Sequence, residues 1–206
     1  MLVSGETVLI QGNISESTAA EFKLVLGQSR ISRVLLASDG GLVEAALSIA
    51  SDIRERHLDV EVVGHCFSSC ANYIFPAGAT KTISGLGIVA WHGNMSHLLY
   101  MHSSGVKPLD AKSLPEVQRL VKLENSFFTR IGLDQFICWF GKIEPYKVRN
   151  MYFLDADDMA RFGITDVKVR VGYEKTDVST HNANGKINLQ FIKVDWESLR
   201  RPAAAP

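Results

Sequence analysis

Two serines, one histidine and a pair of glycines in this chain have the residue types and the order that acyl transfer needs. Gly64-His65-Cys66-Phe67-Ser68-Ser69-Cys70-Ala71-Asn72-Tyr73 reads as a turn leading into a short apolar helix, with Ser69 in its first turn. A hydroxyl there lies near the positive end of the helix, which favours developing negative charge. Cys70 and Ala71 are small and leave room for a substrate. Ser68 or Ser69 could equally be an ordinary helix cap. A serine nucleophile needs a base. His92 closes the apolar stretch Ile88 to Trp91, and an imidazole that is near neutral can take a hydroxyl proton. His97 and His102 are rivals for that role. A second turn, Ser38-Asp39-Gly40-Gly41, also follows an apolar run. Glycine lets backbone N–H groups approach a substrate closely, and losing one oxyanion donor typically costs around 3 kcal/mol of barrier. The same glycine pair also suits a plain strand-to-helix turn.

The elements that must position these groups are legible from periodicity. Thr7 to Gln11, Arg33 to Ala37 and Asp59 to Val63 read as strands. Ser15 caps a helix that Gly27 ends, and a second helix runs from Leu42 to about Arg56. The helix from Ser69 to about Phe75 stops at Pro76 and Gly78, and short strands follow at Lys81 to Ser84 and Ile88 to Trp91. Strands alternating with helices imply a parallel sheet with right-handed crossovers. Residues 93 to 112 read as a long connection beside the site. Ser113-Leu114-Pro115-Glu116 reads as a capping box opening a long amphipathic helix. Asp134 to Phe140 reads as a short helix, Tyr152 to Leu154 as a strand, and Asp155 to Gly163 as a helix. Ile164 to Val171 reads as a final core strand. The expected organisation is one domain over residues 1–173. A C-terminal extension, 174–206, would carry a turn at Asn182 to Gly185, an edge strand within Asn188 to Val194 and a frayed end from Arg201.

Composition narrows the function classes. The chain has 206 residues, 46% hydrophobic and 21% charged, enough for a core without disulfides or metal. Lys plus Arg equal Asp plus Glu at 22 each, so nothing in the charge argues for nucleic acid or an anionic membrane as partner. No apolar run is long enough for a membrane span. The first residues have no leader character, so the cytoplasm is the default, or the periplasm if a leader has been removed. Cys66 and Cys70 lack the two further ligands that zinc would need and read as small buried thiols, with a disulfide as the alternative in an exported protein.

Taken in order, these pieces resemble the Clp protease proteolytic subunit and its crotonase-superfamily relatives. Ser38-Asp39-Gly40-Gly41 resembles that family's Ser-Pro-Gly-Gly turn, with Asp39 in place of proline. Ser69 to Gly78 resembles its nucleophile helix, which ends in Ala-Gly. Ala90-Trp91-His92 resembles the strand that carries its histidine, and Tyr152 to Ala156 and Phe162 to Asp166 resemble its closing motifs. Cys66-Phe67-Ser68-Ser69-Cys70-Ala71-Asn72-Tyr73 is similar to a less-characterised Clp-like group often predicted to be exported.

The resemblance covers about residues 6 to 170. It implies a single-domain α/β fold, a repeated β-β-α spiral with a mostly parallel sheet, and serine endopeptidase activity. Ser69 would be the nucleophile, His92 the base, and the N–H groups of Gly40, Gly41 and Cys70 the oxyanion hole. Counting back from Ala77-Gly78 selects Ser69, whereas counting forward from Gly64 selects Ser68; the helix favours Ser69. The family's acid falls on Met151, with Asn150 adjacent and Asp155 downstream. A Ser–His dyad, an Asn150-assisted triad and an inactive site all remain open. The implied partners are a peptide or protein substrate, a homo-oligomer and an ATP-dependent unfoldase; no cofactor or metal is implied. A binding scaffold without activity is the second reading, and a crotonase-like acyl-CoA enzyme the third.

Overall fold

Runs such as Val34-Leu35-Leu36 and Val60-Glu61-Val62-Val63 are β-branched or leucine-rich and suit a sheet buried between layers. The computed structural model, which describes residues 1–178 and 188–202, builds that sheet. Its strands are β1 (Leu2–Ser4), β2 (Thr7–Ile14), β3 (Arg33–Gly41), β4 (Asp59–Phe67), β5 (Lys81–Ile83), β6 (Ile88–Ala90) and β8 (Val167–Val169). Their order is β1-β2-β3-β4-β5-β8, with β6 also on β4. All pairings are parallel except β1 with β2. The strand β4 takes two partners in succession. Val60 to Val62 pair with β5, and His65 to Phe67 pair with β6. The chain therefore steps from one level of the sheet to the next, and β6 delivers its end beside the end of β4.

The helices α1 (Glu16–Gln28) and α2 (Val43–Glu55) follow β2 and β3. Ser15 forms a capping box with Thr18, and α1 runs one residue past Gly27 to a cap at Ser29. Along α2, Ala45, Ala46, Ile49, Ala50 and Ile53 are buried at the helical spacing the sequence showed. The chain after β4 winds as a π turn over Cys70–Ile74 and continues into α3 (Phe75–Ala77). Further on lie α4 (Met95–Ser103), α5 (Ser113–Ile131), two 3₁₀ turns at Gln135–Cys138 and Phe140–Lys142, β7 (Met151–Phe153) and α6 (Ala156–Arg161). In the C-terminal segment, β9 (Leu189–Phe191) pairs with β7 in a second, two-stranded sheet. Trp196 packs on Phe162 and donates to buried Asp158. The expected turn at Asn182 to Gly185 lies outside the described residues.

Several local expectations need correction. The connection 93 to 112 contains a helix, α4, because Asn94 caps it by accepting from the His97 N–H. Ser113 and Glu116 form no capping box. Asp110 accepts from the N–H groups of Lys112 and Ser113, and Glu116 is drawn off by Arg119. The strand β8 is a partly exposed edge of the sheet rather than a core strand. Ser38 to Gly41 and Gly64 to Phe67, read as turns, are the extended ends of β3 and β4. No helix among the described residues is long and apolar enough to cross a membrane.

Candidate active site

The carboxyl ends of β3, β4 and β6 converge, which is where parallel sheets present ligand sites. Ser68 follows β4 directly and takes φ +55, an uncommon conformation for a non-glycine residue. Its N–H donates to Ala90 O at 3.3 Å, and its carbonyl accepts from Asn72 N–H at 2.8 Å. The side chain therefore leaves the chain at the outside of a tight corner. His92 is fixed from the other strand. Trp91 exchanges two backbone hydrogen bonds with Tyr152, at 2.8 and 2.9 Å. The result is a contact of 2.8 Å between His92 Nε2 and Ser68 Oγ.

Ser69 points elsewhere. Its hydroxyl donates to Gly41 O at 2.6 Å and accepts from Gly41 N–H at 3.0 Å. Ser69 thus ties the end of β3 to the serine corner, and its hydroxyl makes no hydrogen bond to His92 among the described residues. The reason is the winding of the helix. A π turn takes one residue more than an α turn over the same rise, so counting back from Ala77-Gly78 on α geometry lands one residue late. The glycine donors are engaged as well. Gly40 N–H donates to Ser38 Oγ at 3.1 Å, and Gly41 N–H faces Ser69 Oγ. Cys70 is bonded through sulfur to Cys66. This disulfide replaces the free buried thiols expected from the sequence, because a strand end and the following turn bring the two Cα atoms to 5.2 Å.

The disulfide closes a ring of residues 66 to 70 around both serines. Chain-entropy reasoning gives a loop of this size about 2 kcal/mol. The Cys66→Ala/Cys70→Ala variant is expected to melt about 5 °C lower than the wild type. An unchanged melting temperature in calorimetry would remove the clamp from the account of this turn.

Among the described residues, neither residue expected as a third catalytic member hydrogen-bonds to His92. Asn150 offers its backbone carbonyl to Lys142 Nζ at 2.9 Å. Asp155 caps α6 by accepting from Asp158 N–H, and its other oxygen pairs with Lys193 at 2.7 Å. Among the described residues no carboxylate hydrogen-bonds to His92. The rival histidines have other duties. His97 stacks on Trp139, and His102 accepts from Leu109 N–H. His92 retains contact with solvent. The wall around the rest, with the positive charge of Lys142 adding to it, lowers its proton affinity below the usual histidine value.

A cleft of about 360 Å³ opens over Ser68 and His92, walled by α4 through Leu98 and Met101. Two residues that sequence reasoning did not single out belong to it, Asn72 and Lys142. Asn72 Nδ2 donates to Gly93 O at 2.9 Å, while its buried Oδ1 has no hydrogen-bond partner among the described residues. Asn72 lies within the quoted motif and could have been found there; nothing in the sequence around Lys142 marks it.

Beneath the cleft, Glu124 of α5 is fully buried and accepts from Tyr73 Oη and from the N–H groups of Met95 and Ser96 at the start of α4. It joins the serine helix to the helix that walls the site. Burial raises its pKa to about 7, against the lowering effect of those hydrogen bonds. The folded state therefore holds more protons than the unfolded chain between about 4.5 and 7. The contribution of Glu124 is full below that window and lost as pH rises through it, by about 3 kcal/mol. Histidines 92 and 97, whose proton affinity is lowered, act in the opposite direction at mildly acidic pH. The comparison with Glu124→Gln cancels them. Its stability relative to wild type is expected to improve by about 3 kcal/mol from pH 5 to pH 8 in urea unfolding. A constant difference would contradict the raised pKa.

No family model matches this sequence, and no curated protein matches it. Solved structures do. A mutant of ClpP1 from Listeria monocytogenes superposes with a TM-score of 0.51 at 18% identity, covering 80% of this chain and 91% of that one. This similarity is one of fold: a mostly parallel α/β sheet with helices in a single domain, like that of a Clp protease proteolytic subunit.

Proposed function

We propose that this protein is a serine peptidase-like hydrolase in which Ser68 is the nucleophile and His92 the general base. The observation that carries the reading is the 2.8 Å contact between Ser68 Oγ and His92 Nε2, made from the corner after β4. His92 would take the hydroxyl proton as Ser68 attacks a peptide carbonyl, then return it to the leaving amine. Water would hydrolyse the acyl-enzyme by the same route. With Ser68 attacking, the oxyanion donors become the N–H of Ser69, next in the chain, and that of Gly41. The substrate oxygen would take the place that Ser69 Oγ holds on Gly41. Lowered proton affinity keeps His92 neutral at physiological pH and ready to act.

The fold likeness supports a peptidase frame, and a homo-oligomer and an ATP-dependent unfoldase partner belong to the proposal as extensions of that likeness. The disulfide at the site favours an oxidising compartment over the cytoplasm. The second reading, an inactive peptide-binding protein, is favoured by one observation: no carboxylate holds His92 among the described residues. A fluorophosphonate probe separates the two. Labelling of wild type and of Ser69→Ala, but not of Ser68→Ala, is expected. Labelling that survives Ser68→Ala would refute the nucleophile, and no labelling from pH 6 to 9 would favour the binding protein.

A further inference from the structure

The charge around the cleft is one-sided. Among the described residues its lining carries two cations, Lys107 and Lys142, beside the neutral rings of His92 and His97, and no aspartate or glutamate. The chain as a whole is balanced, with 22 acidic and 22 basic residues, so this is a local feature. Lys142 is the more telling of the two lysines. It sits at the end of a 3₁₀ turn, partly buried, with Nζ held by Arg149 O at 2.7 Å and Asn150 O at 2.9 Å. An ammonium has three donors. Two carbonyls therefore orient it and leave the third N–H for another partner. No ion pair to Lys142 occurs among the described residues, although lysines elsewhere pair readily, as Lys193 does with Asp155 and Asp158. An ammonium partly withdrawn from water without a counter-charge is costly, and a ligand anion relieves that cost. The cleft thus offers one unmatched cation beside Ser68.

We propose that Lys142, assisted by Lys107, recognises a carboxylate on the substrate, so that this site selects peptides with a carboxylate close to the scissile bond. The proposal rests on the peptidase reading for its substrate class. The bound carboxylate would also place near His92 the negative charge that no described side chain supplies. It would offset the influence of Lys142 on the ring and favour the imidazolium that forms during attack.

The test uses binding to the Ser68→Ala protein, so it does not depend on turnover. Three probes are compared: acetyl-Ala-Ala-Ala-Leu with a free carboxylate, the same peptide as its amide, and an amide with glutamate as the last residue. At least one carboxylate peptide is expected to bind about tenfold more tightly than the leucine amide. That preference should shrink with added salt and vanish in Lys142→Met, while Lys142→Arg should retain it. Preference for the free acid alone identifies the chain terminus, and preference for the glutamate amide identifies an acidic side chain. Equal affinity for all three peptides, including no binding of any, overturns the proposal, as does a preference that persists in Lys142→Met. Fluorophosphonate labelling of Ser68 is read separately, so the carboxylate site and the nucleophile can fail independently.

Discussion

Ser68→Ala is expected to lower peptide hydrolysis by about 10⁴-fold or more, while Ser69→Ala leaves kcat/KM within about tenfold of wild type. The two hydroxyls belong to adjacent residues but bond to different partners. Ser68 Oγ meets the ring of His92 at 2.8 Å, so removing it removes both the attacking atom and the proton that the base takes. Ser69 Oγ makes its two hydrogen bonds to the backbone of Gly41. Its loss costs the hold between the two turns, about 1 kcal/mol per bond. It also bares the Gly41 N–H for a substrate oxygen. Ser69→Ala should therefore show its larger effect in thermal unfolding and its smaller one in turnover. The opposite pattern, with Ser69→Ala inactive and Ser68→Ala active, would restore the register that counting back along the helix selects.

Gly40→Ala is the second large effect expected. A Cβ on Gly40 would lie 2.6 Å from Phe67 O, 2.8 Å from Ser68 Cβ and 2.9 Å from Ser69 N. Two of these are backbone atoms of the serine corner and cannot swing aside. The residue also has φ +90, which disfavours any side chain. Accommodation requires the ends of β3 and β4 to separate, moving Ser68 from the neighbouring turn. A displacement of this kind is expected to cost about 100-fold in rate and about 3 kcal/mol in stability. Gly5→Ala is the control. It has φ +59 but nothing within 4 Å of the added carbon, and it lies in the β1–β2 turn. It should cost about 1 kcal/mol and leave turnover intact. If Gly40→Ala behaves like Gly5→Ala in both assays, the close approach of the two turns has no catalytic importance.

Much of the frame was readable because it depends on local pattern. Apolar runs such as Val34 to Leu36 specify buried strands, and the spacing of Ala45, Ala46, Ile49 and Ile53 specifies one helix face. Misreadings arose where a local signal had a competitor. Ser113 and Glu116 fit a capping pattern, but Asp110 accepts the Ser113 N–H that Glu116 would have taken, and Glu116 pairs with Arg119 instead. Asp155 looked like a spare acid, but it caps α6 and pairs with Lys193. In each case the side chain had more than one partner within reach, and only the folded arrangement chose.

The feature that sequence alone determined is the order of parts: a glycine pair after one strand, two serines after the next, and a histidine after a third. That order follows from strand periodicity and turn chemistry, which act over a few residues. Tertiary structure decided which serine meets His92. Both lie in the same turn and satisfy the same local rules. Their directions differ because the next segment winds as a π turn, and because Gly41 claims one hydroxyl while Ala90 and Asn72 fix the corner that carries the other. Tertiary structure also brought Lys142, 50 residues after His92, into the same cleft. Its place depends on how two 3₁₀ turns pack beneath the site, and no short-range pattern encodes that.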